Sequence, residues 1–253
     1  MPRTARIKSS TGIYHIITRG INQQNIFSSD DDYERFLNTL TRYFRKSNCE
    51  IYAYCLMDNH IHLLLKEGLE TLATSMKRIG TSYAYYYNWQ YNRKGHLFQD
   101  RYKSEPVEDD SYFLTVLRYI HLNPIKAGIA DNLSSYPYSS YIEYINKTKL
   151  INPIFALNMF HQDKDQAIEE FINFHYQPTD DQCLDITEKR ETFSDKTIRE
   201  LVNKKFHLEL ANLSNVRPEI QKRVLSYLKE LNGCSLRQLA RLTGLTVNQI
   251  VRA

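Results

Sequence analysis

Leu56-Met57-Asp58-Asn59-His60-Ile61-His62-Leu63-Leu64-Leu65-Lys66 is the stretch that decides how this chain folds. It follows an alternating run, Cys49 to Cys55, and carries an apolar run of its own from Ile61 to Leu65. Two short β-rich segments joined through Asp58-Asn59 read as a hairpin, because Asp and Asn tolerate the positive φ of tight turns. Side chains alternate faces along a strand, so His60 and His62 share one face, with Cα atoms roughly 6–7 Å apart. Ile61 points the other way, into a core. Two neutral imidazoles placed like this can chelate a divalent ion.

A His-x-His pair alone is a weak signal, since short motifs match freely. A second constellation strengthens it: Arg118-Tyr119-Ile120-His121-Leu122-Asn123-Pro124. Phe113, Leu114, Val116, Leu117 and Ile120 have helical spacing; Asp109, Asp110 or Ser111 is the expected N-cap and Pro124 the expected stop. Tyr119 and Asn123, four apart, lie on one helix face with Cβ atoms about 5–6 Å apart. A phenol and an amide oxygen brought over the two imidazoles would complete a metal-assisted nucleophilic site. Mixed nitrogen and oxygen ligands with open positions suit Mg²⁺ or Mn²⁺. Tyr86, Tyr87 and Tyr91 are weaker nucleophile candidates, lacking a polar partner four residues on before a helix-ending proline.

His60-Ile61-His62 resembles the His-hydrophobe-His motif of single-tyrosine HUH endonucleases, and Tyr119 to Pro124 resembles the tyrosine helix of their transposase branch. The chain is most similar to REP-associated tyrosine transposases, relatives of the insertion sequence 200/605 transposases. The resemblance covers roughly 12–144 and includes Tyr91 to Ser104 and the later Asn123-Pro124-x-Lys126-Ala127-Gly128. It implies a single-stranded DNA endonuclease and transposase acting near hairpin-forming repeat ends. Tyr119 would form a 5′-phosphotyrosine and leave a free 3′-hydroxyl, with His60, His62 and Asn123 holding the metal. Asn123 stands where the insertion-sequence branch carries Gln. The resemblance leaves monomer or homodimer open.

At 253 residues the chain is long enough for one large domain or two smaller ones. Hydrophobic content of 42% and charged content of 25% are ordinary for a globular protein. A net charge of +4 is too small to signal nucleic-acid binding by itself, so the signal must lie in local clusters. Four cysteines without a Cys-x-x-Cys pair argue against a thiolate zinc site. No apolar run is long enough to span a bilayer. The expected setting is cytoplasmic and nucleoid-associated.

Gly12 to Gly20 reads as the first strand, and Ser29 caps a helix to Ser47 with Phe36, Leu37, Leu40, Tyr43 and Phe44 as its buried stripe. Lone His15 is read as structural. A helix from Glu70 to Asn92 follows, then a fourth strand over Leu97 to Val107, with Arg101 and Lys103 on one face. Between Lys77 and Ser104 six Lys or Arg stand against one acid, interleaved with tyrosines. Arg78, Arg93, Lys94, Arg101 and Lys103 are the candidate contacts to single-stranded DNA, where cations follow phosphates and aromatic rings stack on bases. The order of elements predicts an α+β fold: a ferredoxin-like antiparallel sheet with His60 and His62 in mid-sheet and the tyrosine helix across that face.

Beyond Lys149 the pattern turns helical. We expect a catalytic domain over 1–149, a helical extension and linker over 150–193, and an all-α domain with helix-turn-helix character over 194–253. In the last, Ser235 caps one helix, Gly244 makes the turn and Thr246 caps the next, placing Asn248, Gln249 and Arg252 where base edges are read. A non-catalytic DNA-binding protein is the alternative function; a metallohydrolase using activated water ranks lower, for want of further carboxylate ligands near the histidines.

Overall fold

Four strands, β1 (Ile13–Arg19), β2 (Glu50–Met57), β3 (His60–Lys66) and β4 (Lys103–Pro106), form an antiparallel sheet in the order β2-β3-β1-β4. The hairpin is β2–β3, so its second strand is an inner one beside β1, and its first strand is an edge. This computed structural model describes residues 6–179, 181, 183–184, 193–230, 234, 236–246 and 249–250. Its chain divides into two compact units, Met1–Ile186 and Thr187–Ala253.

In the first unit α1 (Asp30–Ser47) joins β1 to β2, and α2 (Leu72–Gln90) joins β3 to β4. Then come α3 (Asp110–Lys126), the short α4 (Tyr141–Ile145) and α5 (Ile154–Leu157), and α6 (Lys164–Tyr176). This is the ferredoxin-like order read from the sequence, with the tyrosine helix following. Thr18 of β1 lines one cleft with Phe36 of α1 and with Met76 and Ile79 of α2, so those two helices cover the even-numbered face of β1. Phe36, Leu40, Phe44, Ile79 and Tyr83 are buried in the core. Asp32 starts α1 by accepting from the backbone N–H of Ser28 and Ser29 at 2.8 and 3.2 Å.

Three local expectations need correction. The hairpin turn does form at Asp58-Asn59, but neither residue takes a positive φ. Long-range partners hold it instead: the Asp58 carbonyl accepts from Ile26 and Phe27 N–H at 2.7 and 3.0 Å, and its carboxylate accepts from the Tyr33 hydroxyl at 2.8 Å. The fourth strand is four residues long, not eleven. The ladder with β1 is interrupted before Lys103: the Leu97 carbonyl accepts from Ile21 N–H, Phe98 forms an isolated bridge with Gly20, and Gln99 N–H donates to the Arg19 carbonyl, the two bonds at 2.9 Å. Arg101 therefore shares no strand face with Lys103.

Pro124 does not stop α3, which runs two residues further. In the last turn the ring sacrifices only one backbone bond. The helix ends at Gly128, whose φ of +69° is the left-handed conformation glycine accepts freely; there Gly128 N–H reaches the Ile125 carbonyl and Ile129 N–H the Pro124 carbonyl. At its start, Asp109 accepts from Tyr112 N–H at 2.8 Å. Asp109→Ala is expected to cost about 1 kcal/mol of stability through loss of this cap. Urea unfolding followed by tryptophan fluorescence checks it.

The second unit holds α7 (Asp195–Phe206), α8 (Pro218–Glu230) and α9 (Leu236–Thr243), with Ile198, Val202, Leu213, Val224, Leu228 and Leu239 in its own core. Ser194 caps α7 through Thr197 N–H at 3.1 Å, and Gly244 turns the chain at φ +72°. Ser235, Asn248 and Arg252 lie outside the described residues.

Candidate active site

Strand alternation and register assemble the site. Ile17 pairs with His62 and Arg19 with His60 across β1 and β3, so His15, Ile17 and Arg19 share the face of the two histidines. α3 crosses that face. Its Tyr119 ring lies edge-on to His62, with centroids 5.7 Å apart, and to His15 at 6.0 Å. The His60 and His62 rings are 5.0 Å apart. Arg19, Met57, His60, Tyr119, Asn123, Lys126 and Ala127 line an open cleft of about 370 Å³; His62 is fully buried and is not part of that lining.

Hydrogen bonds fix where His60 carries its proton. The Asn59 amide nitrogen donates to the Gln23 carbonyl at 3.3 Å, which turns its oxygen toward His60 Nδ1 at 2.7 Å. His60 therefore donates from Nδ1 and keeps its lone pair on Nε2. Such a bond from the far ring nitrogen is the usual support of a metal-bound histidine. The Asn123 amide nitrogen donates to the Tyr119 carbonyl at 3.1 Å, which orients its oxygen away from the helix backbone. Lys126 Nζ sits 4.9 Å from the centre of the Tyr119 ring. Burial holds His62 well below the usual imidazole range, with His15 and His60 adding to the shift; burial pushes His15 down to about 3. Both rings are neutral near pH 7, as a ligand requires.

Do these residues fit a divalent ion? His62 Nε2 is a buried nitrogen without a hydrogen-bond partner among the described residues, an uncommon state that a metal bond would relieve. No cluster of three or more His, Cys, Asp or Glu forms among the described residues. A third ligand from the protein would then be a neutral oxygen, the kind of donor the Asn123 amide offers. The donor set fits.

The rival tyrosines are committed elsewhere. Tyr86 and Tyr91 donate to the Asp32 carboxylate at 3.1 and 2.7 Å, and Tyr87 donates to the Asn25 carbonyl at 3.0 Å. His121 is buried in a separate chain of bonds. The Phe171 carbonyl can only accept, so His175 Nδ1 donates to it at 2.8 Å. His175 Nε2 must then accept from His121 Nδ1 at 2.9 Å, and His121 Nε2 from the Ser140 hydroxyl at 2.9 Å. Ser140 in turn accepts from Tyr54 N–H at 2.9 Å. This chain ties α6, α3 and β2 together with every proton assigned.

The candidate DNA-contacting cations divide between faces. Lys103 pairs opposite Ile17, on the histidine face. Arg101 lines the cleft with Thr18 and Phe36 on the other. Arg78 is bound to the Glu70 carboxylate, and Arg93 donates to the Gln24 side chain at 2.8 Å. Lys94 is exposed. In the second unit Gln249 uses its side-chain oxygen to accept from Thr246 N–H at 2.9 Å, a helix-capping role.

Three polar residues at the site were not read as functional in the sequence: His15, taken as structural, and Arg19 and Lys126, given no role. Spacing did hold a signal for two of them. Arg19 is four from His15, an even step that keeps one strand face. Lys126 is seven from Tyr119, two helical turns.

Residues 8–123 match the family model of IS200-like transposases. A Haemophilus influenzae protein provisionally named a REP-associated tyrosine transposase is 29% identical over 112 residues, which cover 38% of this chain and 64% of that protein. The structure of a REP-associated tyrosine transposase bound to a REP hairpin aligns with a TM-score of 0.50 at 17% identity, over 58% of this chain and 87% of that one, a likeness of fold. Among the described residues no helix is long and apolar enough to cross a membrane. The likeness to IS200-like transposases thus lies in residues 8–123, somewhat under half of the chain.

Proposed function

We propose that this protein is a REP-associated type of tyrosine transposase that cleaves and rejoins single-stranded DNA beside hairpin-forming repeat ends. The observation that carries the reading is the approach of Tyr119, from α3, to the two histidines of the inner strand: it lines an open cleft with His60, and its ring lies 5.7 Å from that of the buried His62. Tyr119 Oη attacks the scissile phosphorus. An Oη–P bond forms, the P–O3′ bond breaks, the phenolic proton passes to solvent, and the departing oxygen takes one up as a 3′-hydroxyl. One phosphate ester is exchanged for another, so the step reverses without an external energy source. Mg²⁺ or Mn²⁺ held by His60 Nε2, His62 Nε2 and the Asn123 oxygen would supply Lewis-acid polarisation of the phosphate. Arg19 and Lys126, on the cleft wall, hold the flanking phosphate oxygens. The test is incubation with end-labelled hairpin DNA and Mn²⁺. A denaturation-resistant protein–DNA adduct is expected; binding without an adduct returns the non-catalytic alternative.

We assign a second stretch of the strand to the outer side of α2. Tyr85 and Trp89 are 78% and 73% exposed, and their spacing of four puts them on one side of the helix. Beside Tyr85, a cleft of about 830 Å³ carries Arg35, Lys77 and Arg78. Exposed rings beside cations suit stacked bases and their phosphates. Trp89 is the chain's single tryptophan and so a built-in probe. Single-stranded DNA is expected to quench its fluorescence, and Tyr85→Ala to weaken binding by about 1–3 kcal/mol. Unquenched fluorescence at saturation, with binding visible by anisotropy, would place the strand elsewhere.

A further inference from the structure

His15 was read as an ordinary core histidine, and the structure gives it a more specific position. Its Nε2 lies 3.2 Å from His62 Nδ1, and both rings are wholly buried. Neither His15 nor His62 is part of the cleft lining. His15 adjoins His62 at Nδ1, leaving Nε2 as the nitrogen a ligand could use. His15 Nδ1 and His62 Nε2, the outer nitrogens of the pair, have no hydrogen-bond partner among the described residues.

Contrast this with His121 and His175. There a carbonyl at one end dictates the whole order of protons. Here neither end has a carbonyl, so two orders compete. If His15 donates to His62, the remaining proton of His62 sits on Nε2 and blocks the lone pair. If His62 donates to His15, Nε2 is bare and ready for a metal, and His15 carries its own proton on Nδ1. Each order leaves one buried donor and one buried acceptor unpaired, so the pair is nearly balanced. A ligand bound at His62 Nε2 engages the orphan acceptor of the second order only.

We propose that His15 is a positioning residue that sets the tautomer of His62, accepting the Nδ1 proton so that Nε2 can bind the divalent ion. The inference rests on the metal-site reading given above and adds a residue to it. Without an acceptor behind His62, metal binding would strand a buried N–H at Nδ1, with the full desolvation cost of an unpaired donor.

The test uses the full chain, with Mn²⁺ as probe, in wild type, His15→Phe and His15→Gln. Mn²⁺ affinity is read by electron paramagnetic resonance, and the His62 proton position by long-range ¹H–¹⁵N correlations with and without diamagnetic Mg²⁺. His15→Phe is expected to bind Mn²⁺ about 10–100-fold more weakly, the usual scale for loss of such a supporting partner. His15→Gln, whose side-chain oxygen can accept from Nδ1, should recover much of the affinity. A merely structural role predicts the opposite ranking, because Phe replaces a half-satisfied polar group in an apolar setting and should fold at least as stably as Gln. In wild type, Mg²⁺ should leave His62 protonated on Nδ1. Equal Mn²⁺ affinity in wild type and His15→Phe overturns the inference alone. A wild type that binds no Mn²⁺ overturns the metal site and the inference together.

Discussion

Tyr119→Phe is expected to abolish the covalent DNA adduct while the protein still folds and binds DNA. One oxygen is removed, and it is the atom that would bond to phosphorus. Among the described residues Tyr119 is the one hydroxyl-bearing residue lining the cleft, and Tyr86, Tyr87 and Tyr91 are held by Asp32 and the Asn25 carbonyl. The loss in cleavage should reach at least about 10³-fold, since removing a nucleophile disables the whole catalytic unit. The ring stays in place because its packing against His15 and His62 and its contact with Lys126 are made by carbon atoms. Tyr86→Phe and Tyr91→Phe should show the reverse pattern, a normal adduct and a stability loss of about 1 kcal/mol for the missing hydrogen bond. Denaturing gels with labelled hairpin DNA, run beside urea titrations, separate the two classes. Cleavage that persists in Tyr119→Phe would point to an activated water and sink the phosphotyrosine mechanism.

The parts of the site readable from sequence are those governed by local periodicity. A step of two along β3 places His60 and His62 together, and a step of four along α3 places Tyr119 beside Asn123. Neither needs knowledge of the rest of the fold. His15 was opaque for the opposite reason: its meaning depends on the register between β1 and β3, strands separated by a helix and another strand. The four-residue β4 is similar, because the backbone of Leu97 and Gln99 is claimed by Ile21 and Arg19, partners no local pattern reveals. The run of cations was legible as composition, yet its division between two sheet faces required the sheet. Asp58-Asn59 was placed correctly as a turn for a reason that does not operate, since tertiary hydrogen bonds, and not positive φ, hold it.

Acid should loosen the seating of α3 well above the pH at which most carboxylates titrate. His175 is buried and its pKa is lowered to about 4, chiefly by burial, with Arg118 nearby opposing a second positive charge. His121 is lowered well below the usual value by burial and by His175. An unfolded histidine titrates near 6.5. Between about pH 6.5 and 4 the unfolded chain therefore binds a proton that folded His175 refuses. Stability from this residue is fully present above pH 6.5 and declines as pH falls toward 4. At about 1.4 kcal/mol per pKa unit, His175 alone accounts for roughly 3 kcal/mol across the window and about 2 kcal/mol by pH 5. Burial is the main cause, and a proton on His175 Nε2 would in addition face the proton that His121 Nδ1 already donates. Because His121 is two residues from Tyr119 and its chain of bonds reaches β2 through Ser140, breaking it should also misplace the nucleophile. Urea unfolding of wild type and His175→Gln at pH 7 and pH 5, followed through Trp89, isolates the effect. The variant should be less stable at pH 7 but lose about 2 kcal/mol less on acidification; equal losses in the two proteins would show that the buried pair does not sense pH.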